Sequence, residues 1–411
     1  MPFRQFIARL AIVLALLSVA AVARAGLFTD SAGRRVVLPD QIQRIMPAGP
    51  SSAVFVYVLV PDKLIGWPVA LTRAQRALLP AKYARLRVIG QLGGAYPTAT
   101  AADVQRLNPD LIIGYGVISP PTVALADRIQ QQTHIPYILI DDSIQVMPAM
   151  LRQLTPILGA GDHGFAVGTY AFRSINVLRG QLLINSADDR PRVYYGRGPD
   201  GLETPLPGSA SASVIEQVGV INVAGVLGRG VVVPVTRDQI FAWNPQIIIA
   251  QQRSFYNALL RSREWRGLAA VRNKRVYLEP ADPFGWIDDP PGPNRMIGLH
   301  WLSNVFYSNA YQQDLHAIAR EFYQLYYGVQ LTDRQLEALL RDAINPATAP
   351  SQVANVPIFG AEPPPMPSAQ PGAPGMGLPS AGIPGRSGVH GGVAPPPGPP
   401  PGEGPNLPAP P

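Results

Sequence analysis

The strongest constraint in this sequence is a short pattern that occurs twice. Leu107-Asn108-Pro109-Asp110-Leu111-Ile112-Ile113 and Trp243-Asn244-Pro245-Gln246-Ile247-Ile248-Ile249 lie 136 residues apart. Each reads as a helix end, a proline that stops the helix, and a fully apolar strand. A strand without polar alternation is buried on both faces, as in parallel sheets covered by helices. Two copies therefore predict two α/β lobes. Other runs fit this plan. Strands are expected at Arg44–Pro47, Leu64–Gly66, Tyr137–Ile140, Arg192–Tyr195 and Arg275–Leu278. Helices are expected over Thr122–Gln132, with Val123, Ala126 and Ile129 on one face, and over Ser213–Gly219. Between the lobes, Phe165, Tyr170, Phe172, Ile175, Leu178, Leu182 and Leu183 recur at helical spacing behind Asp162. They predict a long helix bridging the two halves.

The two ends of the chain have other compositions. Arg4 and Arg9 precede an uncharged apolar run, Leu10 to Val22, that closes on Ala23-Arg24-Ala25. This is the layout of a secretory signal peptide cleaved after Ala25. The run is too short for a membrane span, which needs about 20 residues. At the other end, residues 346–411 hold 21 of the 46 prolines and only three charges, Glu362, Arg386 and Glu403. Such a segment buries too little apolar surface to offset its ordering entropy, so a Pro-rich disordered tail is expected. The domain plan is a signal peptide (1–25), an N-terminal α/β lobe (26–161), a bridging helix (162–188), a C-terminal α/β lobe (189–345) and the tail (346–411). Losing the leader's three arginines lowers the formal charge from +7 to +4, which leaves little support for a nucleic-acid partner. The sequence has no cysteine, so thiolate metal sites, Fe–S clusters, thiol catalysis and a lipid-modified N-terminal cysteine are excluded. A soluble, free periplasmic protein is the expectation.

A series of landmarks then resembles a known family. Phe28-Thr29-Asp30-Ser31-Ala32-Gly33-Arg34 is similar to its opening hairpin, and Pro47-Ala48-Gly49-Pro50-Ser51-Ser52 to its first cleft loop. Leu64-Ile65-Gly66-Trp67, Ile89-Gly90-Gln91-Leu92-Gly93-Gly94, the segment Asp103 to Ile113 and Glu216-Gln217-Val218-Gly219-Val220-Ile221-Asn222-Val223-Ala224 follow in order. Together, over about residues 27–340, they resemble the periplasmic substrate-binding proteins of ABC importers for iron–siderophore, haem and cobalamin-type ligands. Phe284 to Arg295 resembles a stretch of a branch that serves metal complexes and oxyanions. The resemblance implies an α/β fold of two Rossmann-like lobes joined by one long rigid helix, with the ligand cleft between them. It also implies an acidic residue on each lobe that docks on the permease. Glu216 matches that position in lobe two. In lobe one the matching residue is Ala102, with Asp103 beside it; Asp103 either substitutes or caps its own helix.

Ligands of open α/β sheets bind at strand ends. The aromatic and basic residues there are Trp67, Tyr96 and Tyr115 in lobe one and Arg197, Arg253, Tyr256 and Trp286 in lobe two. Arg197 stands between glycines, where a guanidinium can grip oxyanion oxygens bidentately. Trp286 is expected as a cleft wall, and Asn294-Arg295 as the tie between loop and helix start. The five histidines, His134, His163, His300, His316 and His390, never pair at ligand spacing, so a bare metal-ion site in the protein is not expected. No G-x-S-x-G elbow and no phosphate loop with lysine occurs, so no enzyme activity and no cofactor are expected. The expected function is capture of a metal chelate, foremost an Fe(III)–siderophore-type complex, by a monomer that delivers it to an ABC-importer permease and ATPase. A molybdate-like oxyanion, haem or cobalamin stays open as ligand. An envelope adaptor using the Pro-rich tail stays open as a different function.

Overall fold

The computed structural model describes residues 26–184, 190–307 and 313–344. The expected signal peptide, residues 185–188 of the expected bridging helix and the Pro-rich tail lie outside the described residues. The described residues open on an antiparallel pair, β1 (Gly26–Thr29) and β2 (Arg35–Leu38). Asp30 organises the turn. Its carboxylate accepts from the Ala32 and Arg34 amides, pairs with the Arg34 guanidinium at 3.0 Å and accepts the Leu139 amide at 3.1 Å. The hairpin is thereby fastened to the first parallel sheet.

That sheet has the order β3 (Ile45–Pro47), β4 (Leu111–Gly116), β5 (Tyr137–Asp141), all parallel. The expected strand at Leu64–Gly66 is reduced to one parallel bridge between Leu64 and Ile45. The second sheet runs β11 (Val276–Leu278), β10 (Ile247–Ala250), β6 (Arg192–Gly196), β8 (Ile221–Asn222), again parallel. A two-stranded antiparallel ladder, β7 (Glu203–Pro205) with β9 (Val232–Pro234), stands beside it. Each parallel sheet has its own core, one around Met46, Val104, Ile112 and Tyr137, the other around Tyr194, Ile240, Ile248 and Phe255.

The repeated sequence pattern is a repeated structure down to single hydrogen bonds. Thr100 and Thr236 each form a capping box with the residue three positions on. The helices they start, Ala101–Leu107 and Arg237–Trp243, end at Asn108 and Asn244. Both asparagines have positive φ, 46° and 41°, the left-handed conformation that closes a helix. An arginine from the neighbouring strand then reaches the last helical carbonyls. Arg44 donates to Leu107 O at 2.7 Å, and Arg192 donates to Trp243 O at 2.9 Å.

The long helix spans Gly161–Ile184, 24 residues or about 36 Å. It lies between the two sheets in sequence and packs on the helices Met147–Leu158 and Arg295–Phe306. Its expected apolar stripe is only partly inward. Tyr170, Ile175 and Leu178 are buried, whereas Phe165 and Phe172 face solvent. Phe172 is covered by the Arg152 guanidinium, 5.7 Å from the ring centre. The chain then returns. The Leu315–Phe322 helix and the wide turn Tyr323–Tyr327 pack aromatic rings against lobe one, and the Tyr57 hydroxyl donates to Tyr327 O at 2.8 Å. Residues 315–327, expected in the second lobe, thus also pack on lobe one. Among the described residues no helix is long and apolar enough to cross a membrane.

Candidate functional site

The C-terminal ends of β3 and β4 open into a pocket of about 270 Å³. Its walls are the loop Ala48–Ser52, Gln91, Gly93 and Gly94, the strand end Gly114–Ile118, and side chains of Thr122, Leu125, Tyr137 and Leu139. No charged side chain among the described residues lines it. The Pro50–Leu59 helix starts in this wall, with Gly49 as its N-cap and no capping side chain. Pro50 has no N–H and the Ala53 N–H is bonded to Gly49 O at 3.0 Å, so the Ser51 and Ser52 N–H groups and the positive end of the helix dipole are what this helix start offers an anion. Apolar residues Val117, Ile118, Leu125 and Leu139 also line it.

Tyr115 is held on three sides. Its amide donates to Ser52 Oγ at 2.9 Å, its ring stacks on Phe55 at 4.8 Å, and its hydroxyl accepts from Arg295 at 3.2 Å. Burial pushes the Tyr115 hydroxyl up to about 12, with Arg295 opposing, so it is neutral at ordinary pH.

In lobe two the strand ends of β6 and β11 carry a buried polar group. Glu279 Oε2 accepts from the Tyr195 hydroxyl at 2.6 Å, and Oε1 accepts from the Ile287 and Asp288 amides at 2.7 and 3.1 Å. These bonds hold the 285–289 loop, which presents Asp288 to Arg197 in an ion pair of 2.8 Å. Burial pushes the Glu279 carboxyl from 4.5 up to about 8, against the hydrogen bonds that favour its charged form. A carboxyl raised in the fold contributes stability that is full below its unfolded pKa of 4.5 and is lost as the pH rises through about 8. Resistance to urea is expected to fall between about pH 5 and pH 8, and Glu279→Gln, which mimics the protonated form, is expected to flatten that slope. An unchanged slope in the variant contradicts the assignment.

The residues expected at the cleft meet different fates. Tyr115 lines the pocket. Tyr96 sits on the neighbouring loop, 82% exposed, with its carbonyl accepting from Gln91 Nε2. Trp67 is a buried core residue whose indole donates to Tyr83 O at 2.8 Å. Arg197 is not free to grip a ligand, because Asp288 holds it. Arg253 and Tyr256 both turn to Asp342, and burial with that neighbouring carboxylate pushes the Tyr256 hydroxyl up to about 12. Trp286 is no cleft wall: it is fully buried, edge-on to Trp301 at 6.0 Å, with its indole near the Tyr323 hydroxyl. Asp103 closes the Thr100 capping box and pairs with Arg106 at 2.6 Å. Glu216 is half-buried, and its carboxylate accepts the Gly208 amide at 3.1 Å. Among the described residues no three His, Asp or Glu side chains converge as a metal site.

One residue gained a larger role than its sequence context suggested. Asn294 does tie the loop, donating to Gly285 O and Pro290 O. Arg295, however, is fully buried between the lobes and bonds to both. A basic residue at a helix start carries no local signal for such a place.

Residues 93–283 match the family described as periplasmic binding protein. Among solved structures the chain is similar to an ABC transporter solute binding protein from Sulfurospirillum deleyianum. The identity is 28%, with 77% of this chain and 99% of that chain covered and a TM-score of 0.68. A periplasmic solute binding protein from Veillonella parvula shares the fold at 21% identity, covering 79% and 99% of the two chains with a TM-score of 0.64. So does the molybdate periplasmic binding protein MolA of Haemophilus influenzae, at 20% identity, 75% and 99% coverage and a TM-score of 0.60. No curated protein sequence matches the chain.

Proposed function

The chain is a periplasmic binding protein of the kind that serves ABC transporters, and from that premise we propose that it captures an anionic metal chelate in the lobe-one pocket. The observation that carries this reading is the uncapped start of the Pro50–Leu59 helix in a pocket wall without charged side chains. The helix terminus attracts negative oxygens, and the apolar residues that share the pocket suit the organic periphery of a chelate. A volume of about 270 Å³ accepts one arm or a compact complex, of the Fe(III)–siderophore class, with the remainder in the cleft. The same small volume favours a second reading, a tetrahedral oxyanion such as molybdate. Delivery would go to an ABC-importer permease and its ATPase, with Glu216 on the docking face of lobe two. Asp103 already serves its own helix, so lobe one would dock through other groups.

Gly116 provides the test. It lines the pocket, and a Cβ added there meets no atom within 4 Å. Gly116→Leu fills the pocket while leaving the sheet intact. Calorimetric titration with a ferric catecholate chelate and with molybdate is expected to show binding of one of them. The variant is expected to lose at least about tenfold in affinity, about 1.4 kcal/mol. Binding of molybdate alone selects the second reading. Equal affinity in the two proteins contradicts the pocket.

A further inference from the structure

Arg295 opens the helix Arg295–Phe306 and is buried completely. An arginine charge in such a place is costly unless each donor finds a partner. Its guanidinium has five N–H donors in a fixed plane, and the structure gives acceptors for all of them. Nε donates to Gly292 O at 3.1 Å. Nη1 donates to Ser213 Oγ at 2.9 Å and to Ala210 O at 3.4 Å, both in lobe two. Nη2 donates to the Tyr115 hydroxyl at 3.2 Å and to Asp142 O, both at the strand ends of lobe one. The Asp142 carboxylate stands 3.9 Å away as the nearest counter-charge. One nitrogen of the fork is thus committed to each lobe.

We infer that Arg295 is the strut that fixes the two lobes across the cleft and anchors Tyr115 at the end of the lobe-one sheet. Opening the cleft separates Tyr115 and Asp142 from Ala210 and Ser213. The planar fork cannot follow both sides, so opening strips donors from a buried cation. Small excursions are resisted, and the cleft keeps one width. Tyr115 belongs to the strand end that lines the pocket, and its hydroxyl belongs to the strut, so that strand end and the lobe angle are set by the same group. Arg295 is therefore a positioning residue. The inference rests on the pocket reading only for the meaning of that strand end, and its test uses no ligand.

The chain has no cysteine, so two introduced cysteines can be spin-labelled cleanly. Gln131→Cys lies at an exposed site on the Pro120–Thr133 helix of lobe one, and Arg261→Cys at an exposed site closing the Arg253–Arg261 helix of lobe two. Pulsed electron–electron resonance on this labelled full chain is expected to give a single narrow interlobe distance. Adding Arg295→Met is expected to shift or broaden it by at least about 2 Å, the scale of a domain rearrangement. Arg295→Lys, which keeps the charge without the fork, is expected to fall between. A purely local stabilising role lowers the melting temperature but leaves the distance unchanged, and that result overturns the inference. If Arg295→Met does not fold, Tyr115→Phe combined with Ser213→Ala removes one bond to each lobe. An unchanged distance in that double variant overturns the inference equally.

Discussion

Trp286→Ala is expected to cost about 3–5 kcal/mol of folding stability, the largest single effect among the cleft candidates. The indole is fully buried, edge-on to Trp301, with its N–H toward the Tyr323 hydroxyl. Its backbone is as confined as its ring. A Cβ at Gly298 would come within 2.0 Å of the Trp286 carbonyl oxygen, so the Arg295–Phe306 helix lies directly on this residue. Truncation leaves a cavity whose walls, a helix and a loop tied by Asn294, cannot collapse to fill it. Urea unfolding should show a lower midpoint at an unchanged slope. An unaltered midpoint with a lost ligand affinity would return Trp286 to the cleft wall that its sequence context suggests.

The second large effect is at Arg197. Arg197→Ala removes the partner of Asp288, whose carboxylate is only 3% exposed, and is expected to cost about 3 kcal/mol. The loss comes from stranding a buried charge. The pair itself need not be worth so much, because two well-packed apolar residues often replace a buried pair at little cost. The double variant Arg197→Met with Asp288→Leu should therefore recover most of the stability lost in the single one. Chemical denaturation of the three variants measures the coupling. A single variant of native stability that binds ligand at least about tenfold more weakly contradicts the structural role and restores the ligand grip.

These two residues show where sequence reading stops. The architecture was legible because its signals are local. Asn108 and Asn244 take left-handed φ at their helix ends, prolines follow, and Leu111–Ile113 and Ile247–Ile249 are too apolar to be anything but buried strands. Tyr115 stands near the end of such a strand, where a strand-end pocket is expected. Residue type alone does not tell a ligand contact from a structural partner. An arginine between glycines looks the same whether it meets a chelate or Asp288. Arg295 and Tyr115 are 180 residues apart, and no periodicity joins them. The uncapped helix start in the pocket wall was equally hidden, because the backbone N–H groups of Ser51 and Ser52 carry no side-chain signature.

The lobe-one pocket is proposed to hold an anionic ligand for transport. Native mass spectrometry of the chain, purified without added ligand from the cells that make it, tests this most directly. Wild type is expected to carry a non-covalent adduct that leaves as an anion and has the mass of a metal chelate or an oxyanion. Gly116→Leu, expressed in parallel, is expected to lack it. An adduct retained equally by both proteins, or one that leaves as a cation, contradicts the claim.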